Sequence, residues 1–307
     1  MRILFMGTPD FAVPSLEALL HAGHEICGVF TQPDKPKNRG MKLQAPPVKE
    51  FALAHNIPVY QPESVKDGTA MDLIRQLAPE LIAVAAYGRI LPVGILEYPA
   101  CGCINVHSSL LPKYRGSAPI NWAILNGDQQ SGVTIMHMAK AMDAGDIIAQ
   151  AATPIDPNET AETLHDRLAQ MGAKLLVEVV EQLKNGTATR TPQDESRVTY
   201  APMLSRELSP LDWTRTARQL HDQVRGLIPW PATTTDIIGE QPVKVFEVEE
   251  TGISTAAAAG TIVAAGKQGI DVACGDGLLL RIKQLQAQGG KRMAAADYLR
   301  GHPITID

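Results

Sequence analysis

The sequence predicts an α/β fold: a Rossmann-like domain on a mostly parallel sheet, followed by a small C-terminal β-barrel of OB-like type. Three observations lead there. In the first half, short apolar runs alternate with helical patterns, the signature of β-α-β units. The run Leu81-Ile82-Ala83-Val84-Ala85-Ala86 is apolar at successive positions, as a strand buried on both faces requires. Beyond residue 208, one helical stretch precedes roughly five short strand-like runs separated by Gly and Asp turns, the spacing of a small barrel.

Taken in order, residues 2–6 read as a strand closed by Gly7-Thr8-Pro9-Asp10. Residues 14–22 read as a helix, because Pro14 suits a first turn and Gly23 stops it. Residues 25–31 form a second strand, 48–55 a helix, 58–60 a short extended piece, and 103–107 another strand. Strands are expected at 133–138 and 147–155, joined by the loop 139–146. A long helix over 160–184 starts at the capping residues Asn158-Glu159-Thr160 and ends at Asn185-Gly186. The first domain is thus assigned to 1–188. Residues 189–207, rich in Thr, Ser, Pro and charge, read as a surface linker. The second domain, 208–307, holds a helix at 214–227 and strands near 232–238, 243–248, 260–265, 270–274 and 278–285.

Of 307 residues, 45% are hydrophobic, enough for packed cores. The formal net charge of -5 excludes a uniformly basic surface but not a local basic patch. Cys27, Cys101, Cys103 and Cys274 lack the paired C-x-x-C spacing of a structural zinc site and read as reduced thiols; no metal is expected. No apolar run approaches the ~20 residues of a membrane span. The N-terminus lacks a signal-peptide core, so the expected location is the cytoplasm and no membrane partner is expected.

Ligands of parallel sheets sit beyond the carboxyl ends of the strands. Gly7-Thr8-Pro9 and the segment from Asn105 to Leu111 fall at such ends. Asn105 and His107, two apart on a strand, share a side. Asp143 lies in the loop Ala141-Met142-Asp143-Ala144-Gly145-Asp146. Taken singly, each has a structural explanation: a satisfied histidine, a sheet-edge Asn, an Asx turn.

The string NVHSSLLPKYRGSAPINWAI, with AMDAGDI downstream, resembles the signature of the formyltransferases that use 10-formyltetrahydrofolate. The likeness runs almost end to end through FMGTPDFAVPSLEAL, VFTQPDKPKNRGMKL, VAAYGRILP, GVTIMHM, TYAPMLS, PWPAT and QPVKV, and is closest to the branch that formylates methionyl-tRNA. It implies that Asn105, His107 and Asp143 are catalytic, that Ser109, Leu110, Leu111 and Pro112 contact the folate, and that 10-formyltetrahydrofolate is the cosubstrate. An amine then attacks the formyl carbon and negative charge develops on the formyl oxygen. Asn105 and a protonated His107 can donate to that oxygen, with Asp143 orienting the imidazole and passing protons through water. The pterin edge can be read by backbone near Tyr87 and Gly88. Leu91, Leu110 and Leu111 can pack on its face, or simply fill the core.

The acceptor is a separate question, because one reaction site serves several amines. The loop 32–46 carries Lys35, Lys37, Arg39 and Lys42 with Pro36, Pro46 and Gly40, and reads as a mobile basic loop suited to phosphates. In the resembled branch it wedges into the tRNA acceptor end, which implies tRNA contacts for Arg39, Lys37 and Lys42 and makes aminoacylated initiator tRNA the expected partner of a monomer. The second domain is nearly charge-balanced; only Arg281, Lys283, Lys291 and Arg292 cluster. The rival is a formyltransferase for a small amine, glycinamide ribonucleotide or an amino sugar. A dinucleotide-dependent oxidoreductase would need G-x-G-x-x-G, which Gly7-Thr8-Pro9-Asp10-Phe11-Ala12 lacks. A non-catalytic RNA-binding protein would not need Asn105, His107 and Asp143 together.

Overall fold

The computed structural model describes residues 1–37 and 42–306. Its strands are β1 Arg2–Gly7, β2 Glu25–Phe30, β3 Lys35–Lys37, β4 Lys42–Gln44, β5 Val59–Tyr60, β6 Leu81–Ala85, β7 Cys103–His107, β8 Arg115–Gly116, β9 Gln130–His137, β10 Ile147–Pro154, β11 Tyr200–Ala201, β12 Thr233–Thr235, β13 Val243–Ser254, β14 Ile262–Gly266, β15 Gly269–Ala273, β16 Leu278–Gln286 and β17 Met293–Ala294. The α-helices are α1 Val13–His21, α2 Pro47–Ala54, α3 Thr69–Leu77, α4 Val93–Leu96, α5 Pro119–Leu125, α6 Ala161–Lys184, α7 Ala217–Gly226 and α8 Ala295–Gly301. The chain divides into two compact units. One comprises Met1–Pro119, Gln130–Pro154 and His165–Ala201; the other comprises Ile120–Gln129, Ile155–Leu164 and Pro202–Asp307.

The first unit is built on a seven-stranded sheet in the order β10-β9-β7-β6-β1-β2-β5. The pairs among β7, β6, β1, β2 and β5 are parallel, whereas β7–β9 and β9–β10 are antiparallel. Every residue of β6 is buried, which explains its unbroken apolar sequence. One face packs Leu4, Met6, Phe30, Ile82, Val84, Tyr87, Leu91 and Ile95 into a common core. The chain leaves β1 toward β2 on one side and later returns to β6 on the other. The crevice of this sheet therefore opens at the carboxyl ends of β1 and β6, where Gly7 pairs with Ala85. Only glycine fits at position 7, since a Cβ there would stand 2.8 Å from that of Ala12 and 2.9 Å from the Ala85 carbonyl oxygen.

The second unit is an antiparallel sheet in the order β12-β13-β16-β15-β14, with β17 pairing β16. Leu220 and Val224 of α7 pack against Val245, Ile270, Leu280 and Ile282 of that sheet. Burying each such side chain fully contributes about 1.5–3 kcal/mol. Helix α7 starts later than the sequence pattern indicates. Thr214 first donates to Asp212 in a local turn, and the helix then opens on a capping box between Thr216 and Gln219.

The basic stretch 32–46, expected as an irregular loop, instead holds a two-stranded ladder. Strand β3 pairs with β4 in the register Lys35↔Gln44, Pro36↔Leu43 and Lys37↔Lys42. Its base is fixed by Lys49, which donates to both Asp34 carboxylate oxygens at 2.8 and 2.9 Å and to Gln61 Oε1 at 2.8 Å. Hydrogen bonds from Lys49 and Gln61 hold the Asp34 carboxyl below its usual pKa.

Candidate active site

The carboxyl edge of the sheet is organised by two side chains that grip backbone carbonyls. Thr8 Oγ1 donates to the Tyr87 carbonyl at 3.2 Å, and Gln32 Nε2 donates to the carbonyls of Tyr87 (3.0 Å) and Gly88 (3.3 Å). Ala86 and Gly88 adopt left-handed backbone, φ 46° and 76°. A Cβ on Gly88 would overlap Gln32 Nε2. This tight turn caps β6 directly beside the end of β7.

On β7, Asn105 is half-buried and lies opposite Val84 on one side and Met136 on the other. Its amide has no hydrogen-bond partner among the described residues. His107, opposite Thr134, is 6% exposed. Its Nε2 stands 2.9 Å from the Tyr114 carbonyl oxygen, which can only accept, so Nε2 carries the hydrogen. That leaves Nδ1 facing Asp143 Oδ1 at 3.8 Å, an ion-pair distance beyond hydrogen-bond range. The two groups, from β7 and from the β9–β10 connection, are therefore brought together. The Asp143 side chain is 15% exposed, and its Oδ2 accepts from the Gly116 amide at 2.9 Å. Asp143 itself has φ 50°, a strained region that Asp tolerates better than most residues.

The Ser109–Pro112 turn is pinned from β9 and β10. Ser109 Oγ donates to the Lys113 carbonyl at 2.6 Å. Thr134 Oγ1 donates to the Ser109 carbonyl and accepts from the Leu111 amide. Gln150 Nε2 reaches the Leu111 carbonyl at 2.9 Å. Leu110 packs over Gly132, where a Cβ would come within 2.6 Å of Leu110 Cδ2 and overlap the Ala151 carbonyl oxygen.

The loop carrying Asp143 is clamped by a segment far along the chain. Gln193 Nε2 donates to the carbonyls of Asp143 and Gly145, both at 2.8 Å. Gln193 Oε1 accepts from Arg115 Nε and Nη2 at 3.1 and 2.8 Å. The same guanidinium, 5% exposed as a residue, is paired with Glu195 at 2.7 Å. Its hydrogen bonds hold the Glu195 carboxyl below its usual pKa. A Cβ on Gly145 would overlap the His137 carbonyl oxygen, backbone that cannot yield cheaply. Gly145→Ala is accordingly expected to cost about 1–3 kcal/mol, read as a lower urea midpoint. Turnover per folded molecule should also fall, because the same shift carries Asp143 away from His107.

The pattern of the family described as formyl transferase matches residues 1–180, and that of its C-terminal domain matches residues 203–303. This chain belongs to the formyl transferase family. A methionyl-tRNA formyltransferase of Trichlorobacter lovleyi is 49% identical over 306 residues, covering 99% of this chain and 95% of the relative. One from Pelobacter propionicus is 49% identical over 302 residues, covering 98% and 93%. Among solved structures, an N-formyltransferase from Helicobacter canadensis in complex with folinic acid and dTDP-3-aminofucose superposes with a TM-score of 0.66. That similarity covers 91% of this chain and 98% of the other at 21% identity, so it concerns the fold alone.

Within this formyl transferase, Asn105, His107, Asp143 and Ser109–Pro112 gather at one end of the sheet. The Tyr87 and Leu91 side chains pack into the core, the Tyr87 carbonyl is bound at the edge, and Leu111 is equally buried. Burial pushes the Tyr87 phenol up. Arg39 lies outside the described residues, as do the side chains of Lys37 and Lys42. In the second unit, Arg281 is bound by both oxygens of Asp271 at 2.7 and 2.9 Å, and Lys283 pairs with Glu249 at 3.5 Å. Arg292 lies over the Phe246 ring, 4.8 Å from its centroid. Two cations of the expected basic cluster are thus committed to cross-strand pairs. Sequence reasoning passed over Tyr114, Thr134, Gln150, Arg115 and Gln193. Arg115 stands inside the quoted signature, whereas Gln193 sits in a stretch with no periodicity to mark it.

Proposed function

We propose that this chain transfers the formyl group of 10-formyltetrahydrofolate to the α-amino group of methionyl initiator tRNA, giving N-formylmethionyl-tRNA for translation initiation. The observation that carries this reading is the full-length identity, 49% across 99% of the chain, to the Trichlorobacter lovleyi relative named above. That likeness spans both units, whereas a likeness confined to the first would leave the acceptor open.

The reaction assigns work to groups already placed. The amine nitrogen attacks the formyl carbon, a new C–N bond forms, and the N10–C bond breaks as N10 takes up a proton. Asn105, whose amide has no partner among the described residues, supplies a neutral donor to the oxygen where charge develops. In its protonated form His107 supplies a second donor through Nδ1, since Nε2 is engaged by Tyr114. Asp143 faces that nitrogen and accepts the proton lost by the amine, directly or through water. The folate fits beside them: Leu110 is partly exposed at the same edge, and the Ser109–Pro112 turn is held rigid for it by Thr134 and Gln150. The basic stretch 32–46, with Lys37, Arg39 and Lys42, contacts tRNA phosphates, aided by the C-terminal unit. The enzyme acts in the cytoplasm as a monomer.

The test offers the purified protein 10-formyltetrahydrofolate with methionyl initiator tRNA, glycinamide ribonucleotide or an amino-sugar nucleotide. Acid-stable formyl label is expected in the methionyl ester alone. Formylation of a small amine without formylation of methionyl-tRNA overturns the proposal.

A further inference from the structure

We propose that Gln193 is a positioning residue that holds Asp143 in its left-handed backbone conformation and aims its carboxylate at His107; this rests on the reading of Asp143 as part of the reacting site. The two family patterns end at residue 180 and resume at residue 203, so neither covers Gln193.

The orientation of the Gln193 amide is fixed by its partners. Arg115 has only donors, so the atom facing its Nε and Nη2 must be Oε1. The amide NH2 then faces two groups that only accept, the carbonyls of Asp143 and Gly145. A flipped amide would set donor against donor on one side and acceptor against acceptor on the other. Position 193 is therefore specific for a side chain that accepts at one end and donates twice at the other.

Arg115 closes the arrangement into a ring. Its side chain holds Gln193, while the amide of the next residue, Gly116, donates to Asp143 Oδ2 at 2.9 Å. Both the backbone and the carboxylate of Asp143 are thereby tied to the Arg115–Gly116 strand. That strand is itself anchored, because the Arg115 amide donates to the Thr199 carbonyl at 2.9 Å and the Ser117 amide to the Ala201 carbonyl at 2.9 Å. Upstream of Gln193, Thr191 and Ile147 exchange backbone hydrogen bonds at 2.8 and 2.9 Å. The stretch from Thr191 to Ala201 thus braces the reacting loop. Among the described residues no other donor reaches the Asp143 carbonyl, and a displacement of about 1 Å at a reacting group costs about 10²-fold in rate.

Gln193→Glu keeps the acceptor for Arg115 and replaces the donor by an oxygen facing two carbonyls. Gln193→Met has the same length, carries no charge, and serves if the glutamate variant does not fold. Each is measured for kcat and for KM of both substrates, alone and combined with Asp143→Asn, with thermal melting as the control for folding. The amide proton shift of Gly116 reports the carboxylate position without turnover. The expected result is a kcat lower by about 10²-fold, KM within twofold, a displaced Gly116 amide shift, and no further loss when the change is added to Asp143→Asn. A kcat within twofold of the parent with an unmoved Gly116 signal, beside an Asp143→Asn variant that has lost turnover, overturns the positioning role and leaves the site reading intact. Full additivity with Asp143→Asn also overturns it. Parental turnover in Asp143→Asn alone overturns the site reading, and this inference with it.

Discussion

His107→Ala is expected to lower kcat for formyl transfer by about 10²–10³-fold, the usual consequence of removing one donor from developing oxyanion charge. The loss should fall on kcat rather than on KM, since the imidazole acts on charge that exists only in the transition state. Folding should survive. Among the described residues the side chain makes one hydrogen bond, to the Tyr114 carbonyl, and losing a buried hydrogen bond of this kind costs about 1–3 kcal/mol. Steady-state kinetics beside a thermal melt separate the two effects. A well-folded His107→Ala protein turning over at the parental rate would falsify the assignment of roles.

The largest stability effect is expected in the second unit, at Asp222. Asp222 and Arg225 are 3% and 4% exposed, and Arg225 Nε meets Asp222 Oδ1 at 2.7 Å. Arg218 Nε reaches the other oxygen at 3.1 Å. Arg225 Nη1 also donates to the carbonyls of Asp156 and Glu159, so one guanidinium ties α7 to the segment before α6. Asp222→Ala strands the Arg225 charge and should cost about 3–5 kcal/mol, read from chemical denaturation of the second unit. The acid dependence has a definite sign. Burial raises the Asp222 pKa, but His221, Arg225 and Arg218 outweigh it and hold the carboxyl below its ordinary 3.8. Its contribution is then fully present above pH 3.8 and is lost as pH falls through the lower folded value. Unfolding of the second unit below about pH 4 should steepen in the parent and flatten in Asp222→Asn.

How much could be read in advance depended on the range of the interaction concerned. Strand β6 was legible because a parallel strand buried on both faces writes itself as an apolar run, and that placed the neighbouring β7, with Asn105 and His107, at the sheet's carboxyl edge. Helix α3 escaped notice because it opens after Gly68, at φ 92°, with no side-chain cap to signal a start. The β3–β4 ladder escaped because prolines and lysines suggest a loop, whereas backbone pairing needs only register. The meeting of Asp143 with His107 is tertiary, and no spacing predicts it; the family resemblance supplied what local pattern could not. Gln193 was invisible for the opposite reason: its partners are two carbonyls and an arginine, and carbonyls leave no trace in a sequence.

The first unit runs on to Ala201, past the Gln193 hydrogen bonds. A fragment ended at residue 188 would carry Asn105, His107 and Asp143 yet lack Gln193, Glu195, Thr199 and strand β11. It would hold each side chain proposed to react and lose the hydrogen bonds that fix Asp143. A split protein, a circular permutant or a minimal expression fragment should therefore keep the chain unbroken through Ala201. On the proposed roles, a single proteolytic nick between Gln193 and Ala201 is expected to lower turnover, although it falls in what reads as a tether.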